Sequence, residues 1–117
     1  MATFQRLDIT EGGDVTVARF RDRRIADTAE TEQVGQELYR LVEEGKHKRL
    51  VIDFSAVHYL SSAVIGKLIS LNAKVRAGGG NVKLCGIRPE ILEVFHACKL
   101  DRIFSINKDE ADASPSF

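Results

Sequence analysis

Residues 50–75 of the chain read LVIDFSAVHYLSSAVIGKLISLNAKV, and they predict a buried strand followed by a helix. It opens with a short apolar run that contains a single aspartate, Asp53. The run is too short for a helix and is rich in branched side chains, so it predicts a strand that is buried on both faces. After a brief loop, apolar residues recur at helical spacing from Val64 to Val75, which predicts a helix.

Two adjacent serines, Ser61 and Ser62, lie where this helix is predicted to begin. The free backbone N–H groups and the positive end of the helix dipole favour a negative group there. Ser61 precedes the periodic run and can cap the helix by accepting a hydrogen bond from the N–H of Ala63 or Val64. Ser62 would then point outward from the first turn. Spacing alone leaves two readings open, an N-cap with its neighbour or a site that accepts a phosphate group.

The N-terminal part of the chain predicts a hairpin followed by a helix. Residues 3–9 and 15–20 alternate partly between apolar and polar side chains, with a glycine-containing turn between them. Asp27 or Thr28 can cap a helix with apolar residues on one face, and Gly45 can end it.

The C-terminal part predicts two more strands, at residues 81–85 and 103–106, and Pro89 suits the first turn of a helix between them. Strands that alternate with helices predict an α/β fold, with a mixed sheet of four to five strands and three to four helices. From residue 108 the chain is polar. We therefore expect a single domain over residues 1–107 and a polar tail over residues 108–117.

Right-handed crossovers between parallel strands bring the starts of the helices to one edge of the sheet. Open α/β sheets tend to bind ligands at this edge. We therefore expect a shared rim with partner contacts at Asp27, Thr28, Ser61, Ser62 and Arg88. His58 and Tyr59, beside the serines, either contact a partner or simply pack under the loop.

The composition of the chain is typical of a single protein domain without a strong overall charge. The 117 residues suit one domain, and the 17 basic and 17 acidic side chains cancel, which gives no global electrostatic reason to expect nucleic acid or anionic membrane. No apolar run approaches the ~20 residues of a membrane span, and the N-terminus lacks a signal-peptide layout. We expect a cytoplasmic protein in which Cys85 and Cys98 are reduced, mostly buried thiols.

An enzymatic reading would combine Ser62, His58 and Asp53 as a hydrolase triad. The chain has no Gly-x-Ser-x-Gly elbow, and one short loop seldom aligns three such groups. Asp53 is better explained as an acceptor for N–H groups of the loop that follows it. We therefore expect no catalytic residues.

Other polar groups suggest no special chemistry. The histidines His47, His58 and His96 have no metal-ligand spacing with one another or with the cysteines, so we expect no metal site. A basic cluster follows the second predicted strand and is either a solvated strand end or an anion or RNA site. It consists of Arg19, Arg21, Arg23 and Arg24.

At these residues the chain resembles the STAS domain family, in particular its single-domain anti-sigma-factor antagonists. Those proteins open a helix with an Asp-Ser-Ser/Thr-Gly-Leu-Gly motif, and residues 61–66 here read SSAVIG. The resemblance continues through the glycines at 78–80 and ends at residues 100–104, LDRIF, which are similar to the family's Leu-Asp-x-x-Phe ending. Ser61 stands where the motif has Asp, and Val64 stands where it has the first Gly.

The resemblance implies a protein-binding module that is not an enzyme and needs no cofactor of its own. It places the family's phosphorylated serine at Ser62, or at Ser61 if the motif is shifted by one residue. The unphosphorylated form would bind a serine kinase that is also an anti-sigma factor, and so release the sigma factor. Phosphorylation by that kinase would end the interaction, and a PP2C-type phosphatase would restore it. The alternative is a STAS adaptor without a switch, which scaffolds a transporter or a signalling assembly.

Overall fold

The computed structural model describes residues 4–12, 14–45 and 49–113. In chain order, the elements in those segments are β1 (Leu7–Gly12), β2 (Val15–Phe20), β3 (Arg24–Ile25), α1 (Thr28–Gly45), β4 (Arg49–Asp53), β5 (Tyr59–Leu60), α2 (Ser62–Ala77), β6 (Asn81–Cys85), α3 (Pro89–Ala97), a 3₁₀ turn (Leu100–Arg102), β7 (Ser105–Asn107) and α4 (Glu110–Ala113). Within the described segments, no helix is long and apolar enough to cross a membrane.

Within these described segments, the central sheet has five strands in the order β1-β2-β4-β6-β7. The hairpin partners β1 and β2 are antiparallel, while β2, β4, β6 and β7 run parallel. β4 lies in the middle, where Ile52 is level with Ala18 on one side and with Leu84 on the other. The predicted α/β fold with a mixed sheet is therefore confirmed.

The main core lies between the sheet and helices α1, α2 and α3. Leu50, Ile52 and Phe54 contribute to it from the middle of the sheet, and the Phe54 ring lies 4.9 Å from the Phe20 ring and 5.8 Å from the Phe95 ring. Alternate residues of a strand point to opposite faces, so the side chains between these belong to the other face. This alternation explains why the whole of β4 reads as an apolar run.

The opposite face of the sheet carries a smaller cluster that includes α4. Val17, Val51 and Cys85 pack there with Ala113, which is fully buried. The ordered fold therefore reaches Ala113, although a tail was expected from residue 108. A single turn of helix leaves almost no sequence pattern, because its stability comes from tertiary contacts rather than from propensity.

Two strand predictions differ from the structure, and one small sheet was not predicted. The first strand is Leu7–Gly12 rather than residues 3–9, and Thr3 lies outside the described residues. The last strand is Ser105–Asn107 rather than 103–106, because the 3₁₀ turn Leu100–Arg102 occupies the preceding segment. The third difference is a second, two-stranded parallel sheet, which pairs β3 with β5. Strands of two residues are too short to show an alternating pattern.

Candidate functional site

Helices α1, α2 and α3 all begin at the carboxyl edge of the parallel strands, as the crossover argument predicts. The small β3–β5 sheet fixes the loop that leads into α2. The carbonyl of Arg23 accepts hydrogen bonds from the N–H groups of His58 and Tyr59, at 2.7 and 3.1 Å. The N–H of Ser61 donates to the carbonyl of Ile25 at 2.9 Å. The start of α1 and the start of α2 are thus tied together.

A cleft of about 190 Å³ opens between these two helix starts. Its lining includes four residues that were predicted to share the rim, Asp27, Thr28, Ser61 and Ser62. Thr31 and Glu32 complete the α1 side of the cleft. Sequence analysis missed Thr31, although its position four residues after Asp27 places both residues on one face of the helix.

Asp27 caps α1, as predicted. Its Oδ1 accepts a hydrogen bond from the N–H of Glu30 at 2.7 Å, and the Glu30 side chain accepts one from the N–H of Ala26 at 3.2 Å. The Glu30 side chain thus reaches one residue before the cap, so the arrangement is a capping box shifted by one residue on that side. Thr31 Oγ1 donates to the carbonyl of Asp27 at 2.9 Å. Thr28 is therefore the first helical residue rather than the cap.

Ser61 occupies the N-cap position of α2, but its hydroxyl does not cap the helix. The predicted bond from the N–H of Ala63 or Val64 to this hydroxyl is absent. The Val64 N–H bonds instead to the Ser61 carbonyl at 3.1 Å. The Ser61 hydroxyl lies 3.4 Å from the hydroxyl of Thr31 across the cleft. The Ser61 hydroxyl therefore contacts Thr31 of α1, thirty residues away in sequence, rather than a backbone N–H of its own helix.

Ser62 is the first residue of α2 and is exposed. The solvent-facing side of the helix continues from it through the small residues Ala63 and Gly66 to Ile69, which is 41% exposed. The first turn of α2 contains no acidic residue. Of the two serines, Ser62 is therefore the one whose hydroxyl faces solvent at a helix N-terminus.

Asp53 supports the loop between β4 and β5, as predicted. Its Oδ1 accepts the N–H of Ser55 at 2.8 Å. Gly86, at the end of β6, has φ +67, and a Cβ at this position would lie 2.6 Å from the same oxygen. Only glycine therefore lets the two loops approach so closely.

The Asp53 carboxyl also shares a hydrogen bond with Glu110 of α4. Burial opposes ionisation of Asp53, but its hydrogen bonds with Glu110 and Ser55 outweigh burial and lower the pKa of this carboxyl. Glu110 forms a two-bond pair with Arg19, at 2.6 and 2.5 Å. This pair favours the carboxylate, but the hydrogen bond with Asp53 and burial outweigh it and raise the pKa of Glu110.

The described hydrogen bonds do not assemble the triad that was weighed for Ser62, His58 and Asp53. Asp53 bonds to Ser55 and Glu110, whereas His58 is exposed on the rim. Partial desolvation, together with the positive charges of Arg88 and Arg23, lowers the pKa of His58. Glu90 acts on His58 through its charge, but no hydrogen bond among the described residues joins this imidazole to a carboxylate, as the base of such a triad requires.

Tyr59 is 46% exposed, so it does not pack under the loop. The guanidinium of Arg24 lies 4.5 Å from the centre of its ring. Arg88, just before α3, donates to the carbonyl of Ser55 at 3.2 Å. The predicted rim residues therefore form two adjoining groups. One group lines the α1–α2 cleft, and the other, His58, Tyr59 and Arg88, surrounds the β4–β5 loop.

The predicted basic cluster is divided in the structure. Arg19 pairs with Glu110, whereas Arg23 and Arg24 join the rim beside the β4–β5 loop. Arg21 is exposed, and its backbone N–H bonds to the carbonyl of Arg6.

The cysteines are both free thiols, but only one is buried. Burial, with the nearby Asp53 and Glu110 charges, raises the pKa of Cys85 to about 12. Cys98 is exposed, so the expectation of a buried thiol is wrong there, because it follows the last turn of α3. Among the described residues, no group of His, Cys, Asp and Glu could hold a metal, and His47 lies outside them.

Comparison with known proteins identifies the family of this chain. The family model for the STAS domain matches residues 8–113. BtrV of Bordetella bronchiseptica, provisionally named an anti-sigma factor antagonist, is 28% identical over 93 residues, which are 80% of this chain and 79% of BtrV.

Solved structures share the fold. An anti-sigma-factor antagonist (STAS) domain protein from Planctomyces limnophilus superposes with a TM-score of 0.77 at 22% identity, covering 90% of this chain and 91% of that one. The phosphorylated form of SpoIIAA, a cell fate determinant of Bacillus, superposes with a TM-score of 0.68 at 15% identity, covering 90% and 94%.

Proposed function

This chain belongs to the STAS domain family, and from that premise we propose that it is an anti-sigma-factor antagonist whose binding is switched off by phosphorylation of Ser62. The name of BtrV supports the antagonist role. The proposed switch is supported by a structural difference between the two serines, which differ in the contacts and exposure of their hydroxyl groups. Ser61 directs its hydroxyl to Thr31, whereas Ser62 exposes its hydroxyl at the start of α2.

A phosphate on Ser62 would be compatible with the fold. It adds a charge of about −1.5 to −2. At the N-terminus of α2 this charge meets the positive end of the helix dipole, an interaction worth about 0.3–1 kcal/mol. The modified protein would therefore stay folded, and the effect of the phosphate would fall on binding.

The same phosphate would oppose a partner that docks on the exposed side of α2. Ala63, Gly66 and Ile69 continue this side from Ser62 and offer a flat, weakly polar contact surface. A charged phosphate beside such a contact must be desolvated, and the first turn of α2 provides no basic side chain to pair with it. The charge of a phosphate on Ser62 would therefore be enough to prevent a partner from docking on α2.

The replacement of the motif's aspartate by Ser61 does not leave the site without negative charge. Asp27 lines the same cleft from α1, whereas Glu32, which also lines it, is paired with Lys67 at 3.1 Å. The proposed partner is a serine kinase that also acts as an anti-sigma factor, and a PP2C-type phosphatase would reverse the modification. ATP would be bound by the kinase, and this chain would contribute the acceptor hydroxyl and the docking surface.

Affinity purification from native cells tests this function. Wild-type protein, Ser62→Ala and Ser62→Asp would be used as baits, with bound proteins identified and quantified by mass spectrometry. We expect Ser62→Ala to retain an anti-sigma-factor kinase and Ser62→Asp to reduce its recovery at least tenfold. Ser105→Asp, on the edge strand β7, is the matched control and should leave recovery unchanged. Full recovery with Ser62→Asp would reject the switch and favour a STAS adaptor.

A further inference from the structure

Three arginines from two parts of the chain, the adjacent Arg23 and Arg24 and the distant Arg88, lie around the β4–β5 loop. Arg23 holds the loop through its backbone carbonyl, and Arg24 stacks on the ring of Tyr59 at 4.5 Å. Arg88 reaches the loop from the start of α3 through the carbonyl of Ser55, at 3.2 Å. Tyr59 itself is 46% exposed. Tyr59 is therefore an exposed aromatic side chain with arginines around it.

No carboxylate of the described residues forms an ion pair with these three arginines. Other described arginines do form such pairs, as Arg6 does with Asp22, Arg19 with Glu110 and Arg49 with Asp14. The chain has no net charge, so the excess of positive charge at this loop is a local feature. Partial desolvation and the nearby charges of Arg88 and Arg23 lower the pKa of His58.

We propose that Arg23, Arg24, Arg88 and Tyr59 form a docking surface for an acidic segment of the partner protein. This arginine surface adjoins the proposed switch, because the N–H of Ser61 bonds to the carbonyl of Ile25, next to Arg24. Guanidinium groups pair with carboxylates through paired hydrogen bonds, and a neighbouring tyrosine adds contact area. Charges placed at the rim of an interface speed association and fix its register.

The surroundings favour a protein over a nucleic acid. Asp27 lines the cleft beside the surface, and Glu90 lies near His58 on the other side. A continuous phosphate backbone would run past these carboxylates and be repelled. A short acidic peptide segment would contact the arginines alone. The proposal rests on the proposed function only in taking the partner to be the same protein.

A fluorescent polyglutamate peptide of about ten residues is the probe, measured at low and at high salt against the full chain. Backbone amide shifts recorded by NMR would locate its site. We expect the largest shifts at residues 23–25 and 58–60, and binding that disappears at high salt. The double variant Arg23→Glu/Arg24→Glu should weaken binding roughly tenfold. Arg23→Lys/Arg24→Lys keeps both charges and should retain most of it.

Arg76→Glu/Arg102→Glu makes the same change of charge on exposed residues of α2 and the 3₁₀ turn, and should change affinity less than about twofold. Equal losses in the two double variants would overturn the proposal, since they would show attraction to net charge only. It would also fail if an oligothymidylate of matched charge bound the surface more tightly than the peptide. Failure here would leave the Ser62 switch intact, because that switch is judged by Ser62→Asp alone.

Discussion

Asp53 is a residue whose hydrogen bonds could be predicted in part from the sequence. A carboxylate inside an apolar run must find hydrogen-bond donors, so its bond to the following loop could be predicted, and the N–H of Ser55 at 2.8 Å confirms it. Its other neighbours could not be predicted. Gly86 and Glu110 reach it through the tertiary fold, and neither contact leaves a local pattern.

Gly86→Ala should destabilise the protein by about 1–3 kcal/mol, because alanine adds strain at φ +67 and its Cβ would meet the Asp53 carboxylate. Urea unfolding followed by circular dichroism measures the change. Gly66→Ala is the matched control, since its Cβ would meet nothing within 4 Å in the middle of α2. That variant should be more stable than the wild type by about 0.5–1 kcal/mol. A neutral Gly86→Ala would contradict the described approach of the two loops.

The pKa of His58 offers a test of the charges on the rim. Because the folded pKa is lowered, protons bind His58 more weakly in the folded state, so stability falls as the pH drops through the ordinary histidine pKa of about 6.5. Arg88→Gln and Arg23→Gln should each raise the pKa in an NMR titration of the imidazole. Arg102→Gln should not. An unchanged pKa in both rim variants would show that their charges do not reach His58.

At the scale of elements, α2 was the most predictable part of the chain and its N-terminus the least. The apolar period predicted inward positions at Val64, Leu68, Leu71 and Val75, and all of them are buried. The apolar period predicts the buried positions of α2 because the residues on one face of a helix are set by their spacing in the sequence. The Ser61 hydroxyl, by contrast, turns to a residue of α1, and such a choice depends on how two helices pack.

Ser62→Asp should leave the fold intact and raise the free energy of unfolding by less than about 1 kcal/mol, because the charge lies at the positive end of α2. Ser62→Asn provides a neutral side chain of the same shape, so the difference between the two variants isolates the charge. Thermal and urea unfolding both measure it. A loss of more than about 2 kcal/mol in the Asp variant alone would mean that loss of partner binding reflects unfolding rather than a switch.

For the molecule as a whole, the order of the longer strands and helices could be predicted, since each of those elements carried its own hydrophobic pattern. The closure of the fold by α4 could not. It depends on a contact between Arg19 and Glu110, which are 91 residues apart, and on the burial of Ala113 behind the sheet. Neither signal is visible in a six-residue polar segment, which explains the misplaced tail boundary.

A double-mutant cycle measures how much α4 is held by its ion pair. Arg19→Ala and Glu110→Ala should show a coupling of about 0.5–1 kcal/mol, because both side chains are only partly exposed and form two hydrogen bonds. The Arg49–Asp14 pair, at 3.6 Å and far more exposed, is the matched comparison and should show almost no coupling. Equal coupling in the two pairs would contradict the structural role given to α4.

Site-resolved phosphopeptide mass spectrometry on protein from native cells can establish whether Ser62 carries a reversible phosphate. Trypsin releases residues 50–67 as one peptide, which contains Ser55, Ser61 and Ser62. We expect a single phosphate on Ser62 whose occupancy changes with growth or stress conditions. An unmodified peptide under all of those conditions would contradict it, as would a phosphate confined to Ser55.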